Sequence, residues 1–411
     1  MEAGTMNLSL KIAGEGLDDF YPYELALEEG FSKVYRAELM VFTRRRRDQK
    51  KLRELLERKA TVIISQRLPG GTVSRLRYLH GIITAAADLG VVSRGKSADC
   101  YRHVITIESE LARLRHTRLI NPYYRKTPPD IIEEIFSHYG IKGEFSSSFI
   151  NRSSFSKNLM FDQTEISDLD FILQVMELYG ISWTYVHGKA SQGSLGQAEL
   201  YFSEGNRYPP AFYEYSDKRK VPEIERFDFM DYDAGKDVWK MDRWRMESRI
   251  GAEGLEVSAP YPLANYGSQE WRWGDVKPGK RHYDYGTLFH GFDRQTPNSE
   301  IDADIKRIIE AFRTAFAAER ENWSGGTQNI AVLPGLVFEL RHFQGAGDGN
   351  VICALVTDSA LRFRVHWPRD LAAPPLGEEP GELSQVEFSS VDWGKDSEKR
   401  FCRNGRRGKG V

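Results

Sequence analysis

Cys100, His103 and His116 are the first residues whose types invite a chemical reading, because thiolate and imidazole are common zinc ligands. Their spacing argues against it. Residues three apart on an extended strand face opposite sides, so Cys100 and His103 do not converge on one ion. The remaining histidines scatter without HxH pairs. Asp231-Tyr232-Asp233-Ala234-Gly235-Lys236-Asp237 starts like a calcium loop, but Lys236 stands where the sharp turn needs glycine and Asp242 where the loop needs a bidentate glutamate. Gln344 to Asn350 (QGAGDGN) resembles a phosphate loop, yet an apolar strand pattern follows instead of a helix, so no helix N-terminus faces an anion. Arg44 to Arg47, with Lys50, Lys51 and Arg53, is dense enough for nucleic acid but lacks the aromatic or glycine pattern of a known binding module. It reads as a solvated or partner-facing basic loop. Glu108/Glu110 and Glu133/Glu134 are pairs of the kind glycosidases use, with nothing in the sequence to place either in a cleft. No zinc-protease, nucleophile-elbow, Walker or kinase motif is present. The expectation is therefore no catalytic residue, no cofactor and no metal site.

The elements that would carry these residues fit a multi-domain chain. With 411 residues, two to four domains are expected. Lys+Arg 57 against Asp+Glu 59 gives a net charge of −2, which supplies no drive toward nucleic acid or anionic membrane. Three cysteines, Cys100, Cys353 and Cys402, exclude a dense disulfide framework and suit a reducing, cytoplasmic setting. No apolar run is long enough for a membrane helix, and the first residues lack the basic and apolar regions of a secretory signal.

Strand patterns dominate the first hundred residues: Phe31 to Phe42, Thr61 to Gln66, Ser74 to Thr84 and Tyr101 to Glu108, with Leu68-Pro69-Gly70-Gly71 as a hairpin turn. Neither face of Phe31 to Phe42 is purely apolar, which suits a strand without plain solvent on either side. Two helices follow. Thr127-Pro128-Pro129-Asp130 caps the first, with Ile131, Ile132, Ile135, Phe136 and Tyr139 at helical spacing and Gly140 as the stop. Ser167 and Asp170 cap the second, with Leu169, Ile172, Leu173, Met176 and Tyr179 as its stripe and Gly180 as its stop. Strands are expected again at 198–203, 223–232 and 238–247, a loop or insertion at 251–284, and a long helix at 299–320 broken by Trp323-Ser324-Gly325-Gly326. Segments 327–340, 350–358 and 361–367 read as a closing β-meander. From about Pro374 the chain reads as a mobile or partner-bound extension with a basic, glycine-rich end, in which 384–393 adds at most an edge strand. The fold class is α+β.

The order of these segments resembles the hub portion of VgrG-type spike proteins of type VI secretion, phage late control gene D proteins and the central baseplate hub of contractile phages. The residues that carry the resemblance are Gln163, Glu165, Ser167, Asp168, Asp170, Phe171, Gly180, Ile181, Trp183 and Tyr185, an acid-capped helix that ends at Gly-Ile before an aromatic strand. Asp231-Tyr232-Asp233, the long helix, Leu333-Pro334-Gly335-Leu336 and Ala354 to Thr357 follow in family order. Glu108 to Leu111 and Tyr123 to Lys126 depart from the family pattern, and no oligonucleotide-fold domain or valine-glycine needle follows within the sequence.

The resemblance implies two tube-like antiparallel β-barrels with α/β elements between them: a first barrel over 1–112, an α/β domain over 113–200, a second barrel from 201–255 and 327–370, an insertion with the long helix over 256–326, and a linker and basic tail over 371–411. It implies a homotrimer forming a pseudo-sixfold ring, a structural hub rather than an enzyme. Its partners would be a hexameric inner tube, a trimeric spike chain or missing spike domain, baseplate components and effectors, without nucleic acid or membrane insertion. The hub would be cytoplasmic before assembly and then sit on the injection machine or virion tail. The alternatives are a soluble β-rich binding module and a cell-wall hydrolase attached to such a machine.

Overall fold

The computed structural model describes residues 6–16, 19–67, 74–94, 99–146, 150–156, 159–191, 193–204, 214–215, 225–229, 239–260, 268–274, 282–287, 291–292, 297–341, 352–365 and 383–392. The first β region comprises β1 (Asn7–Ile12), β2 (Tyr21–Gly30), β3 (Arg36–Thr43), the short helix α1 (Gln49–Arg53), β4 (Lys59–Arg67), β5 (Ser74–Arg94) and β6 (Asp99–Glu108). An α/β layer follows: β7 (Arg118–Tyr124), α2 (Pro128–Tyr139), β8 (Gly143–Glu144), β9 (Leu159–Ser167), α3 (Asp168–Tyr179), β10 (Ile181–His187) and β11 (Ala198–Glu204). Beyond it come β12 (Glu214–Tyr215), β13 (Glu225–Phe229), β14 (Trp239–Ser248), β15 (Gly254–Pro260), β16 (Ser268–Gly274), β17 (His282–Thr287), β18 (Gly291–Phe292) and α4 (Asn298–Arg320). The chain closes with β19 (Glu321–Thr327), β20 (Val337–Arg341), β21 (Ile352–Arg364) and β22 (Leu383–Asp392).

One 13-stranded sheet holds both β regions, in the order β1-β4-β5-β6-β3-β2-β21-β20-β13-β14-β19-β22, with β12 attached to β5. In the second region the pairings form a cycle: β21 with β20, β20 with β13, β13 with β14, β14 with β19, β19 with β22, and β22 again with β21. Strand β21 links the regions, because β2 pairs with its Asp358 to Arg364 portion and β20 with its Ile352 to Leu355 portion. A single buried apolar cluster accordingly runs from Leu8 through Leu39 and Val62 to Phe227, Phe338 and Phe388. A second cluster lies beneath α2, α3 and α4 and includes Phe136, Phe171, Trp183, Leu255 and Ile305.

Both expected helices form with the expected ends. Thr127 and Asp130 make a reciprocal capping box on α2, while Ser167 accepts from the Asp170 amide on α3. Gly140 and Gly180 end them in the left-handed region.

Several expectations are corrected. Strand β3 begins at Arg36, and residues 31–35 are a turn with Ser32 at φ 55. Within β3, Ala37, Leu39 and Val41 are buried on one face, while the other passes from exposed Arg36 and Glu38 through half-buried Met40 to buried Phe42. Part of the apparent mixing came from counting turn residues as strand. The 251–284 stretch holds β15, β16 and β17 of a three-stranded sheet, because alternating Leu255 and Val257 give it an apolar face for the second cluster. Trp323 to Gly326 lie inside β19, where Gly325 leaves room for the Phe388 ring. The two expected strands at 350–358 and 361–367 are one continuous β21. Residues 383–392, expected to add at most an edge strand, form β22, paired on one side to β19 and on the other to β21. The parallel pairing of β13 with both β14 and β20 also departs from a purely antiparallel arrangement. Asp231-Tyr232-Asp233 and Gln344 to Asn350 lie outside the described residues.

Candidate functional site

The residues of the acid-capped helix segment form one continuous structure at the base of α3. Gln163 is fully buried on β9 and donates to Asp168 Oδ1 at 2.8 Å and to the Ile166 carbonyl at 3.2 Å. Tyr139, at the end of α2, donates to Asp168 Oδ2 at 2.5 Å. Burial and this bond to Asp168 push the Tyr139 hydroxyl above its ordinary pKa. Asp168 thus sits at the first turn of α3, where an anion also meets the positive end of the helix dipole. Ser167 Oγ accepts from the Asp170 amide at 3.1 Å and donates to Asp170 Oδ2 at 2.7 Å. Glu165, at φ 57, occupies the irregularity where β9 carries one residue more than β7 between Ser167 and Thr164. Phe171 stacks on Tyr123 with ring centroids 5.4 Å apart. Gly180 serves two needs, since its φ is 63 and a Cβ there would lie 2.8 Å from Ala311 Cβ on α4.

Ile181, Trp183 and Tyr185 then carry this base to the first β region along β10. Ser32 donates its amide to the Trp183 carbonyl at 2.9 Å, and the Trp183 amide reaches Ser32 Oγ at 3.4 Å. The neighbouring Phe31 amide donates to the Thr357 carbonyl of β21 at 3.0 Å. The 31–35 turn is therefore the place where both β regions and the α/β layer meet. Tyr185 donates to Ser109 Oγ at 2.8 Å and meets Tyr35 edge to face at 4.9 Å. Pro334 and Gly335 lie apart from this segment, at the entry to β20. There Leu336 N donates to the Leu333 carbonyl at 3.0 Å with Gly335 at φ 90, a turn that places proline second and glycine third for steric reasons.

Polar side chains that no sequence spacing singled out hold the joints. Arg77 and Glu29 form an almost fully buried ion pair between β5 and β2. Ser359 on β21 donates to the same Glu29 oxygen at 2.7 Å, and Arg77 Nη1 donates to the Ile330 carbonyl at 3.1 Å. Gln66 donates to the Gln328 carbonyl at 2.7 Å and accepts from the Ile330 amide at 3.1 Å. His80 and His187 meet in the seam between β5 and β10, with ring centroids 5.7 Å apart. Their partners across this seam lie more than a hundred positions away in sequence, so only the apolar neighbours of each, as in TYVH for His187, hinted that they are interior.

The residues first weighed for chemistry have other engagements. His103 is buried against Thr43 Oγ1 at 3.0 Å and lies 3.5 Å from Asp88, and burial lowers its pKa. His116 is exposed, and Cys100 is buried elsewhere along β6. Among the described residues no three His, Cys, Asp or Glu side chains cluster as a metal set. Burial raises the Glu108 pKa, but bonds from Thr84 at 2.6 Å and Arg115 at 2.7 Å outweigh it and hold the carboxylate below its usual range. Glu110 faces Lys59 at 3.4 Å, Glu133 pairs with Arg152, and Glu134 with Lys126. In the basic loop, Arg47 pairs with Glu15 and packs over the Phe20 ring, and Arg44 lies over Tyr21.

The chain belongs to the phage tail baseplate hub (GPD) family, whose profile matches residues 28–358. No curated protein matches the chain by sequence. Solved structures share its fold. A tail protein from Neisseria meningitidis MC58 superposes with a TM-score of 0.56 at 12% identity, over 95% of this chain and 97% of that one. The E. coli c3393 protein, described as a type VI secretion component similar to the T4 tail proteins gp27 and gp5, gives 0.55 at 14% identity, over 94% and 77%. A chain of the Francisella PdpA-VgrG complex gives 0.51 at 10% identity, over 96% of this chain and 59% of that one. No described helix is long and apolar enough to cross a membrane.

Proposed function

We propose that the chain is the hub adaptor of a contractile injection machine, three copies of which form a ring joining a hexameric inner tube to a trimeric spike. The single observation that carries this reading is the hub-family match over residues 28–358. Each copy supplies two tube-like barrels. The first spans residues 1–112. The second spans 201–255 and 327–370, to which β22 is added because its two pairings complete the cycle of strands. The α/β domain over 113–200 and the insertion over 256–326, apart from the part of β19 it contains, lie outside the barrels, and the stretch beyond β22 is the basic tail. Three copies then present six barrels to a sixfold tube, and a head-to-tail contact of this kind closes by rotation. The function requires fixed geometry rather than turnover, and buried polar joints at Glu29, Gln66 and Arg77 suit that requirement. The acid-capped segment from Gln163 to Tyr185, with Pro334 and Gly335, has a structural role in this reading. Spike, baseplate components and effectors are the further partners, and the working location is the machine or tail itself.

Co-expression with the tube protein of the same machine tests this proposal. The expected result is a co-purifying complex and electron micrographs of tubes capped at one end. Uncapped tubes with the chain left free in solution would contradict it.

A further inference from the structure

Strand β5 has a gap along one edge. β12 covers it at Arg75 and Leu76, and β6 covers it from Ile82 onward, so among the described residues no strand faces His80 there. Both backbone groups of His80 are instead met by side chains. Its N–H donates to His187 Nδ1 at 3.1 Å, and its carbonyl accepts from the Tyr35 hydroxyl. The rest of the seam fixes where the hydrogens sit. His80 Nε2 lies 2.6 Å from the Gly188 carbonyl, which only accepts, so Nε2 carries a hydrogen. Thr61 Oγ1 accepts from the Gly196 amide at 2.9 Å and lies 3.1 Å from His80 Nδ1, where its hydroxyl donates to a neutral ring. Burial favours the neutral form of both imidazoles, and His187 must present a lone pair at Nδ1 to accept the His80 N–H.

We propose that His187 is a proton-operated latch between the first β region and the α/β layer. Protonation turns its Nδ1 from an acceptor into a donor aimed at another donor, the His80 N–H, and the β5–β10 seam opens. The bond lost is the one that satisfies an otherwise uncovered strand edge, and a buried unpaired amide is costly.

The surrounding charges set the direction. From β5 the pocket receives His80, Arg77 and Tyr78; from the 31–35 turn, Tyr35; from β2, Glu29, paired with Arg77. Glu108, Glu110 and Arg115 lie behind Tyr35 and Tyr185, and Lys189, just beyond β10, is exposed. Burial, then His80, then Arg77 hold the His187 pKa well below its ordinary value, and burial lowers that of His80. An opened seam restores the ordinary value of about 6.5. The closed seam is therefore at full strength above that pH. As the pH falls below it, the open form binds protons that the closed form excludes, and opening rises by up to about tenfold per pH unit for each histidine.

Hydrogen exchange on the full chain, corrected for the intrinsic pH dependence of exchange, tests the latch. Between about pH 7.5 and pH 5, segments 76–83 and 184–197 are expected to lose at least about tenfold in protection. Segment 36–43, in the interior of β3, is expected to keep its protection. His187→Asn places a non-titrating oxygen near the Nδ1 position, and the His187 share of the pH dependence should vanish, leaving only the His80 share. Unchanged protection at both segments in the native chain overturns the proposal. So does equal loss at 36–43, which marks global acid unfolding and is read without any variant. A His187→Asn chain as pH-sensitive as the native one assigns the effect elsewhere and also overturns it.

Discussion

The two β regions share one sheet and one apolar core, yet they are assembled differently. In the first, β2 pairs with β3, β4 with β5 and β5 with β6 between neighbours in sequence, and β1 with β4 and β3 with β6 over longer separations, all antiparallel. In the second, β13 pairs in parallel with β20 across the α4 insertion, and β22 arrives from the far end of the chain to join β19 with β21. Loop closure makes such long-range pairings costly to initiate. The second region therefore depends on contacts that form late and on its attachment to the first through β21. The buried ion pair and the aromatic group around Phe388 are where that dependence is concentrated.

The largest expected effect lies at the attachment. Arg77→Met leaves Glu29 buried without its cation and should cost about 3–5 kcal/mol in equilibrium denaturation. A loss under about 1 kcal/mol would show that water reaches the pair and that the regions are not locked there. Next is Phe388→Ala on β22. Its ring meets Phe338 at 5.6 Å and Trp244 at 6.3 Å, and about 3–4 kcal/mol should be lost. Were 383–392 a loose extension, the same change would be silent.

The insertion helix gives a smaller effect that depends on pH. Asp304 on α4 is buried, and burial raises its pKa to about 6, above the ordinary 3.8. The folded chain thus holds a proton that the unfolded chain releases. The resulting stability is full below about pH 3.8 and is lost as the pH rises through about 6. Asp304→Asn should remove this dependence and stabilise the chain by about 1–3 kcal/mol above that range, read as a flatter plot of Tm against pH. The smallest expected effect is Gly180→Ala, about 1–2 kcal/mol, from a left-handed backbone and a contact with Ala311. Thermal melts should register it as a modest fall, mainly by loosening α3 from α4.

Much of the first region and both capped helices was legible in the sequence, because their signals are local. Thr127 with Asp130, Ser167 with Asp170, and the stop glycines state the helix ends within a few residues. The second region was less legible for the converse reason. Trp323 to Gly326 look like a helix breaker until Phe388 supplies the ring that fills the space above Gly325. Ser384 to Trp393 alternate like a strand, but nothing nearby shows that both edges are taken. The joint was hidden most completely. Ser32 and Tyr35 looked like strand residues because Phe31 and Val34 are strand formers. Partners as remote as Trp183 and Thr357 determine that they form a turn. His80, His187, Glu29 and Gln66 carry no spacing signal at all, since each is paired across folded distance.

Solution mass tests the hub ring most directly. Light scattering on the full chain at tens of micromolar should report about three times 47.1 kDa. A strictly monomeric mass at that concentration, with no ring in electron micrographs, would contradict the trimeric hub.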